Sequence, residues 1–262
     1  MRKKGTALNF IMSAATDVGI EKETNQDSFG AKLVQTACGN IAVCIMCDGM
    51  GGYAKGEVAS ATVVNIFNKW ILERLPVLCA DSIRGDIIRQ EWEKLVQIAS
   101  RKISDYGVKK NITLGTTLTV IMLTETEYYI LNVGDSRAYE IADAVTVLTK
   151  DQTVVAREVE LGVLTEEEAK TDPRRSVLLQ CIGASDYIEP DFFTGKVKKD
   201  SVYMLCSDGF RHEVSNAEIF QYMQPAVMVD PEQMRQNMEA LIELNKQRYE
   251  TDNISVLSVR TF

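Results

Sequence analysis

The 262-residue sequence has a single histidine, no excess of positive charge and no apolar run long enough to span a bilayer. Its formal net charge of −8 and pI near 4.9 disfavour nucleic acid and anionic membrane surfaces as partners. The N-terminal segment MRKKGTALNFIMSAATD begins like a secretory signal, but Gly5, Thr6 and Asn9 interrupt its apolar part. We therefore expect a first strand over about residues 7–14, a cytoplasmic protein and no membrane partner.

The six cysteines are scattered and do not form a disulfide framework. Cys44 and Cys47 form a CxxC pair, but in a strand this spacing puts their side chains on opposite faces, so we interpret them as buried core thiols. Cys206 in CSDGFR lies one residue too close to Arg211 for the C-x5-R loop of cysteine phosphatases. A thiol nucleophile is therefore unsupported.

The segment IAVCIMCDGMGGYAKGEVAS, residues 41–60, joins a buried apolar run to a glycine-rich loop. Asp48, at the end of that run, would be costly to bury as a free anion, and the glycines beside it let a backbone carbonyl approach a counter-ion. A hard metal cation is a natural partner. The glycines also match the dinucleotide pattern GxGxxA (Gly49, Gly51, Ala54). We reject that interpretation because Asp48 would repel the pyrophosphate and no acidic strand end follows at the required distance.

Three further aspartates lie where a β pattern meets a glycine or polar turn: Asp135, Asp208 and Asp252. Each alone is a typical turn residue. Together with Asp48 they form a carboxylate-only set from distant segments, which would repel one another unless cations lay between them. Such a set favours Mg²⁺ or Mn²⁺ over zinc. Two such ions can bind a phosphoryl group and activate a bridging water, which is the chemistry of phosphate ester hydrolysis without a covalent enzyme intermediate.

The rest of the sequence reads as one domain, residues 1–262, without a linker or an internal repeat. Helices are predicted after Gly56 to about Leu75 with Pro76 as the stop, then over about residues 83–107, 215–223 and 231–249. Strands are predicted over about residues 28–35, 116–124, 127–133, 138–141, 201–206 and 254–259. The polar segment at about residues 150–183, with a capped helix start at residues 165–168, is predicted to be a surface flap.

These motifs resemble the metal-dependent serine/threonine protein phosphatases (PPM, or protein phosphatase 2C-like), in particular their compact bacterial members. The resemblance covers about residues 14–259 and rests on seven motifs in family order: TDVGIEKETNQDSFG, CDGMGGYAKGEVAS, LGTTLTV, LNVGDSRAY, LTKDQT, CSDGF and TDNISV. It implies an α+β fold, a four-layer α/β/β/α sandwich in which two antiparallel β-sheets are flanked by helical pairs. The implied activity is hydrolysis of phosphoserine and phosphothreonine by in-line attack of a metal-bound hydroxide.

The resemblance also implies two to three Mn²⁺ or Mg²⁺ ions and the residues that hold them. Asp48 would bridge two ions, and the carbonyl of Gly49 would bind one of them. Asp208 and Asp252 would complete the shell of the other ion, so these three aspartates are the predicted catalytic set. Asp135, together with Asp208, resembles the ligand pair of a third and weaker metal site.

Two further site residues follow from the resemblance, and the sequence departs from the family pattern beside them. Asp27 would hold metal-bound water or orient the ligands, and Lys22 would bind the substrate phosphate. Lys22 stands where the family often has an arginine, so it offers a point charge without the bidentate fork. Gln26 replaces a frequent glutamate, which predicts weaker metal binding, and Met50 replaces the histidine proposed as general acid in animal members. We interpret His212 as a solvated or capping side chain rather than a proton donor.

The expected partners are phosphorylated proteins and, by implication of the resemblance, an opposing serine/threonine kinase; we expect a monomer. The rival hypothesis is a pseudophosphatase of the same fold that binds phosphoproteins without hydrolysing them. Loss of Asp48, Asp208 or Asp252 would indicate such a protein, and all three are present. The sequence therefore favours an enzyme.

Overall fold

The computed structural model describes residues 8–51, 55–80 and 82–262. Within these ranges the strands are β1 (Phe10–Asp17), β2 (Ser28–Thr36), β3 (Gly39–Cys47), β4 (Gly49–Gly51), β5 (Leu114–Thr116), β6 (Leu118–Leu123), β7 (Glu127–Val133), β8 (Arg137–Ile141), β9 (Val145–Val147), β10 (Asp191–Lys196), β11 (Ser201–Cys206) and β12 (Ile254–Thr261). The helices are α1 (Gly56–Glu73), α2 (Leu75–Leu78), α3 (Gly85–Lys110), α4 (Val154–Glu160), α5 (Glu166–Thr171), α6 (Asp208–Arg211), α7 (Asn216–Met223) and α8 (Pro231–Gln247).

Two five-stranded antiparallel sheets form the centre of the molecule, with orders β1-β12-β11-β8-β9 and β10-β7-β6-β3-β2. Helices α1 and α3 pack together against the second sheet, and α7 and α8 pack together against the first. The predicted α+β four-layer α/β/β/α sandwich is thus confirmed. In the part of the chain that the structure describes, no helix combines the length and apolarity needed to cross a membrane.

Apolar clusters fill the spaces between the four layers. Met46 of β3 and Leu257 of β12 lie in the cluster between the sheets, whereas Ile45 lies with Trp92 of α3 on the helical side. A further cluster joins the first sheet to α8 through Met238. Because successive side chains of a strand point to opposite faces, a strand covered on both faces is apolar throughout. This burial explains the continuous apolar run before Asp48.

Cys44 and Cys47 follow the same alternation along β3. Cys44 lies between the sheets and Cys47 lies on the helical side, as their spacing predicted. Burial raises the pKa of both thiols well above the ordinary range, so neither is a ready thiolate at neutral pH. Their interpretation as core thiols is confirmed.

Several element ends differ from the prediction. The first strand begins at Phe10 and runs to Asp17 rather than ending near residue 14, and Ala7 lies outside the described residues. Helix α3 continues past Gly107 to Lys110, because its end is set by Asn111, which caps it with a left-handed φ of 53°. Pro76 does not terminate α1; it lies in the first turn of α2, where its missing N–H is not needed.

The predicted flap segment contains two short helices, of which only the second was expected. Thr165 and Glu168 form the predicted reciprocal capping box at the start of α5, which ends before Pro173. Helix α4 is capped by Thr153, whose hydroxyl accepts a hydrogen bond from the Ala156 N–H. Strands β4, β9 and β10 were also not predicted; β4 has only three residues, and β9 and β10 are partly exposed and lack a continuous apolar run.

Candidate metal and active site

The five predicted carboxylates lie at strand ends along one edge of the sandwich. Antiparallel pairing places the start of β2 beside the end of β3, and the end of β11 beside the start of β12. Pairing of β6 with β3 and β7 brings the end of β7 to the same edge. The residues concerned are Asp27 before β2, Asp48 after β3, Asp135 after β7, Asp208 after β11 and Asp252 before β12.

The backbone around Asp48 is fixed by two threonines, Thr116 at the end of β5 and Thr117 directly after it. The Asp48 N–H donates to the Thr117 hydroxyl at 2.8 Å, and the Asp48 carbonyl accepts the Thr117 N–H at 2.9 Å. The Thr116 hydroxyl donates to the same carbonyl at 2.9 Å. Since the main chain is held at both of its polar groups, the Cα–Cβ bond of Asp48 has a defined direction.

The carboxylate of Asp48 is electrostatically unfavourable in the protein alone. Burial raises its pKa well above the usual range, and repulsion from the other four carboxylates, Asp27, Asp208, Asp135 and Asp252, raises it further. Each of these four must therefore lie close enough to Asp48 to affect it. The structure brings all five predicted carboxylates together.

Asp27 lacks compensating contacts. Burial raises its pKa to about 7; the hydroxyls of Ser255 and Ser207 counteract part of that increase, while Asp208 adds to it. Among the described residues, neither carboxyl oxygen of Asp27 has a hydrogen-bond partner. A buried carboxylate without a partner calls for a proton or a cation.

Asp208 uses its two carboxyl oxygens differently. Its side chain is 7% exposed, and its Oδ2 lies 3.5 Å from the Ser176 hydroxyl and 3.5 Å from Nε2 of His212. Its Oδ1 is buried and has no hydrogen-bond partner in the described parts of the chain. The side chain of His212 is 12% exposed and lies against Glu250, with Nδ1 3.1 Å from Oε2. The prediction of a solvated or capping His212 was therefore wrong, because the ring bridges two buried carboxylates.

Asp135 differs from the other carboxylates because an arginine already faces it. Nη2 of Arg211 lies 3.7 Å from Oδ2 and donates to the Asp135 carbonyl at 3.1 Å. The same guanidinium contacts Asp151, which Arg137 binds through two hydrogen bonds of 2.8 Å. Burial and Asp208 raise the pKa of Asp135 to about 7, although Arg211 opposes the increase. Arg211 thus supplies part of the positive charge that balances Asp135.

Lys22 lies at the same edge and forms an ion pair with Asp252. Its Nζ is 3.1 Å from Oδ1, and both side chains are partly exposed. Burial disfavours the charged lysine, but Asp252, followed by Asp48 and Asp208, raises its pKa. The predicted phosphate-binding residue is therefore a cation at the solvent side of the carboxylate cluster.

The turn that carries Gly49 requires glycine because two backbones meet there. A Cβ on Gly49 would lie 2.3 Å from the Gly56 carbonyl oxygen and 2.5 Å from that of Gln26. The Gly49 N–H donates to the Gln26 carbonyl at 3.2 Å. The start of α1 and the segment before Asp27 are thereby held against the site. Ala54 of the rejected dinucleotide pattern lies outside the described residues.

Asn253 ties the loop that carries Lys22 and Asp27 to the start of β12. Its Oδ1 accepts the Gln26 N–H at 2.8 Å, and its Nδ2 donates to the carbonyls of Val18 at 2.9 Å and Thr24 at 3.2 Å. The amide is buried, and the three contacts come from a single side chain. The polar loop is thus ordered by β12 rather than by its own sequence.

The donor set fits hard divalent cations. Three buried carboxyl oxygens on Asp27 and Asp208 have no hydrogen-bond partner among the described residues, and mutual repulsion raises the pKa of Asp48. No three Asp, Glu, His or Cys side chains within residues 8–51, 55–80 and 82–262 are grouped closely enough to hold one ion by themselves. Because Mg²⁺ keeps several waters and commonly binds one or two carboxylates, pairs of these aspartates completed by water suit such ions.

Sequence reasoning missed four residues that contact this cluster: Arg211, Asp151, Asn253 and Glu250. Asn253 lies in the motif TDNISV, so its neighbourhood was identified but its role was not. Asp151 lies in the motif LTKDQT and Arg211 directly follows CSDGF, but neither motif indicates an ion pair, and Glu250 is a charged residue without a distinguishing local pattern. Their contacts could be found only from the folded arrangement.

Comparisons with known proteins agree with this arrangement. The family model described as protein phosphatase 2C matches residues 20–243. A Streptococcus pyogenes protein assigned to the protein phosphatase 2C type is 31% identical over 251 residues, which cover 95% of this chain and 96% of that protein. The serine/threonine phosphatase Stp of Listeria innocua is 30% identical over 208 residues, or 78% of this chain and 79% of Stp.

Solved structures show the same fold. The Mycobacterium tuberculosis serine/threonine phosphatase PstP superposes with a TM-score of 0.79 at 28% identity, covering 97% of this chain and 98% of that structure. The PstP catalytic domain in complex with two manganese ions gives a TM-score of 0.77 at 27% identity, with 97% and 99% coverage. The chain therefore belongs to the protein phosphatase 2C (PPM) family of metal-dependent phosphatases.

Proposed function

We propose that this chain is a metal-dependent protein phosphatase that hydrolyses phosphoserine and phosphothreonine. The observation that carries the proposal is the cluster of buried carboxylates with unpartnered oxygens in the described structure, bordered by the cation of Lys22. The named relatives are serine/threonine phosphatases, and one of the similar structures contains two manganese ions. Dependence on a divalent metal follows from the family.

The proposed ligands of two Mn²⁺ or Mg²⁺ ions are Asp48, the Gly49 carbonyl, Asp208 and Asp252, and water would complete the shell of each ion. When bound, the ions would supply positive charge to the phosphoryl group and lower the pKa of water at the site. Asp27 would accept hydrogen bonds from water around the ions, because both of its oxygens are without partners in the described structure.

A third and weaker ion is proposed at Asp135 and Asp208. This site is supported by the repulsion between the two carboxylates, which raises the pKa of Asp135. Arg211 weakens it, because the guanidinium already lies 3.7 Å from Asp135 Oδ2 and would share that carboxylate with the ion. We therefore expect the third ion to bind less tightly than the other two.

Lys22 is proposed to bind the substrate phosphate. Its side chain is 44% exposed at the rim, where an incoming phosphate dianion can reach the ammonium group. Binding would redirect the lysine from Asp252 to the phosphate, and Asp252 would then be compensated by metal. The lysine would hold the phosphoryl group against the carboxylate cluster and reduce its negative charge.

Residues 150–183 are proposed to be a flap over the active site of a single domain that spans residues 1–262. Two contacts support this role. Asp151, at the base of the segment, is held by Arg211 near Asp135, and Ser176, near its end, places a hydroxyl 3.5 Å from Asp208. The segment thus meets the site at both of its ends, so that its exposed middle can contact the protein substrate.

The proposed partners are phosphorylated proteins and an opposing serine/threonine kinase, with a cytoplasmic location and a monomeric state. A pseudophosphatase is not favoured, because Asp48, Asp208 and Asp252 are all present and lie at one site, and because the named relatives are phosphatases.

The test is phosphate release from a phosphothreonine peptide, titrated separately with Mn²⁺ and Mg²⁺ and stopped with a chelator. Saturable, chelator-sensitive release is expected, and phosphoserine and phosphotyrosine peptides of the same sequence measure selectivity. Asp208→Asn serves as the matched inactive control for contaminating phosphatases. The contrary result is a folded wild-type protein that binds the peptide but releases no phosphate at millimolar metal. That result would support the phosphoprotein-binding pseudophosphatase instead of the enzyme.

A further inference from the structure

Glu250 and His212 form a continuous contact path between two of the proposed metal ligands. Oε1 of Glu250 accepts the N–H groups of Thr251 at 2.8 Å and Asp252 at 2.9 Å. Oε2 of Glu250 lies 3.1 Å from Nδ1 of His212, whose Nε2 lies 3.5 Å from Oδ2 of Asp208. The side chains of Glu250 and His212 are only 3% and 12% exposed, so this path runs through the interior.

The local backbone places Glu250 between His212 and the main chain of Asp252. Helix α8 ends at Gln247, and Tyr249 then adopts a left-handed φ of 66°, which reverses the chain. The Glu250 N–H donates back to the Asn245 carbonyl at 3.1 Å, so the turn is closed at both the main chain and the side chain. A left-handed tyrosine is unfavourable and persists only where surrounding contacts determine it. The contacts of Glu250 supply that constraint.

We propose that Glu250 and His212 are positioning residues that fix the carboxylate of Asp208 relative to the turn of Asp252, and so preset the geometry of one metal site. His212 and Ser176 engage Oδ2 of Asp208, which leaves the buried Oδ1 without a partner in the described structure and directed to a ligand role. Glu250 fixes the Asp252 backbone and the histidine ring simultaneously. The inference rests on the proposed function only in taking Asp208 and Asp252 as ligands of the same ion.

The test measures binding of Mn²⁺ alone by calorimetry, with no substrate present. Glu250→Gln and His212→Gln should each weaken Mn²⁺ binding by about 10- to 100-fold, the usual effect of losing a residue that orients a metal ligand. The matched control is Glu93→Gln, which removes the same charge from the 2.7 Å Arg89–Glu93 ion pair on the surface of α3. Glu93→Gln should bind Mn²⁺ like the wild type.

Two further measurements separate positioning from general stability. Because both residues act through one path, His212→Gln should add little further loss in the Glu250→Gln background. In the activity assay, the Mn²⁺ concentration for half-maximal rate should rise, whereas kcat at saturating Mn²⁺ should return close to the wild-type value. Circular dichroism and thermal unfolding with chelator must show that each variant is folded.

Wild-type Mn²⁺ affinity in both folded variants would overturn the inference. If Glu250→Gln does not fold, His212→Gln still tests it, because that change leaves the hydrogen bonds of Glu250 to Thr251 and Asp252 in place. A wild-type protein that binds Mn²⁺ but releases no phosphate would refute the proposed function, and the comparison of Mn²⁺ affinities would still decide the role of Glu250 and His212.

Discussion

At the scale of single residues, Asp208 shows how one carboxylate can be both held and available. Its Oδ2 is engaged by His212 and Ser176, while its buried Oδ1 has no hydrogen-bond partner in the described structure. This division predicts that Asp208→Asn abolishes measurable phosphate release, because an amide is a weak metal ligand and carries no charge. The shape is unchanged, so the free energy of unfolding should change by less than about 2 kcal/mol.

Phosphate release and thermal unfolding of the same preparations check this prediction. The control substitution should be on the surface. Asn245→Asp is therefore not suitable, because Asn245 is buried. Asp200→Asn is better matched, since Asp200 lies on the surface with a 3.3 Å contact to Arg260. Wild-type activity in Asp208→Asn would remove Asp208 from the metal assignment.

Lys22 offers a second prediction at this scale. Arginine presents a planar fork that can bind phosphate through two hydrogen bonds, whereas lysine acts as a point charge. If Lys22 contacts the substrate phosphate, Lys22→Arg should lower KM by several-fold, with a smaller effect on kcat. Steady-state kinetics with a phosphothreonine peptide at saturating Mn²⁺ measure this effect.

Lys246→Arg is the matched control for Lys22→Arg. Lys246 pairs with Asp17 at 3.1 Å and with Glu243 at 2.8 Å, so it makes comparable ion pairs without contacting the carboxylate cluster. An unchanged KM in Lys22→Arg would exclude Lys22 from phosphate binding and leave it only as the ion-pair partner of Asp252.

At the scale of elements, two apolar strands were predicted to the residue, whereas the strand predicted over residues 116–124 is interrupted at Thr117 and forms the end of β5 and all of β6. The runs at residues 127–133 and 201–206 became β7 and β11 with the same ends, because each is largely buried and is bounded by polar turns. Helix α3 could not be bounded in this way. Gly107 is in the helix, and a Cβ there would lie 2.7 Å from the Ile112 carbonyl oxygen, so this glycine serves a close approach of the chain rather than the helix end.

The residues of the candidate site also fall into those that a local sequence pattern predicts and those that it does not. Aspartates at strand ends carry a local pattern, and the sheets collect them at one edge. The contacts of Arg211 with Asp135 and of His212 with Glu250 join residues 76 and 38 positions apart, and neither partner marks the other in the sequence. Charged residues that support a site are therefore predicted less well than the residues they support.

The junction of β4 with α1 gives a prediction about an element boundary. Gly49→Ala would place a methyl group 2.3 Å from the Gly56 carbonyl oxygen and 2.5 Å from that of Gln26, and both neighbours are backbone that cannot rotate away. Overpacking of this kind destabilises by about 1–3 kcal/mol or more. Because relief requires movement of the chain next to Asp48, Mn²⁺ binding should weaken together with stability.

Gly162→Ala is the control for this prediction. Gly162 has a φ of 71°, and a methyl group added there would meet nothing within 4 Å, so alanine introduces only backbone strain. That strain costs about 1–2 kcal/mol. Urea unfolding should show a loss of stability in both variants, whereas calorimetry should show weaker Mn²⁺ binding only in Gly49→Ala. Equal Mn²⁺ affinity in the two variants would show that the junction does not position the site.

At the scale of the whole molecule, the carboxylate edge makes stability depend on pH and metal. Burial raises the pKa of both Asp27 and Asp135 to about 7 in the folded protein, compared with 3.8 for an ordinary aspartate. Between these values the folded state binds more protons than the unfolded state, so stability falls as pH rises through the window. Glu218, whose pKa is lowered to about 2, acts in the opposite direction but only below about pH 4.5.

The chelated protein should therefore have a lower unfolding temperature at pH 7.5 than at pH 5.5. One pKa unit corresponds to about 1.4 kcal/mol, and 1 kcal/mol shifts the unfolding temperature of a domain of this size by about 2–4 °C, so a decrease of several degrees is expected. Mn²⁺ binds only the folded state and should reverse the trend, with the largest stabilisation at pH 7.5. Scanning calorimetry at both pH values, with chelator and with Mn²⁺, measures this difference.

Asp27→Asn separates the contribution of the site to the pH dependence of stability from the contribution of the rest of the molecule. Asp27 lacks a hydrogen-bond partner within the described chain, so the neutral amide should make the chelated protein more stable than the wild type at pH 7.5 and reduce its pH dependence. The same variant should gain less stability from Mn²⁺, because it has lost an acceptor for water around the ions. A chelated wild-type protein whose stability is flat or rises between pH 5.5 and 7.5 would contradict the prediction, and it would mean that the buried carboxylates have other counter-charges at the edge of the sandwich.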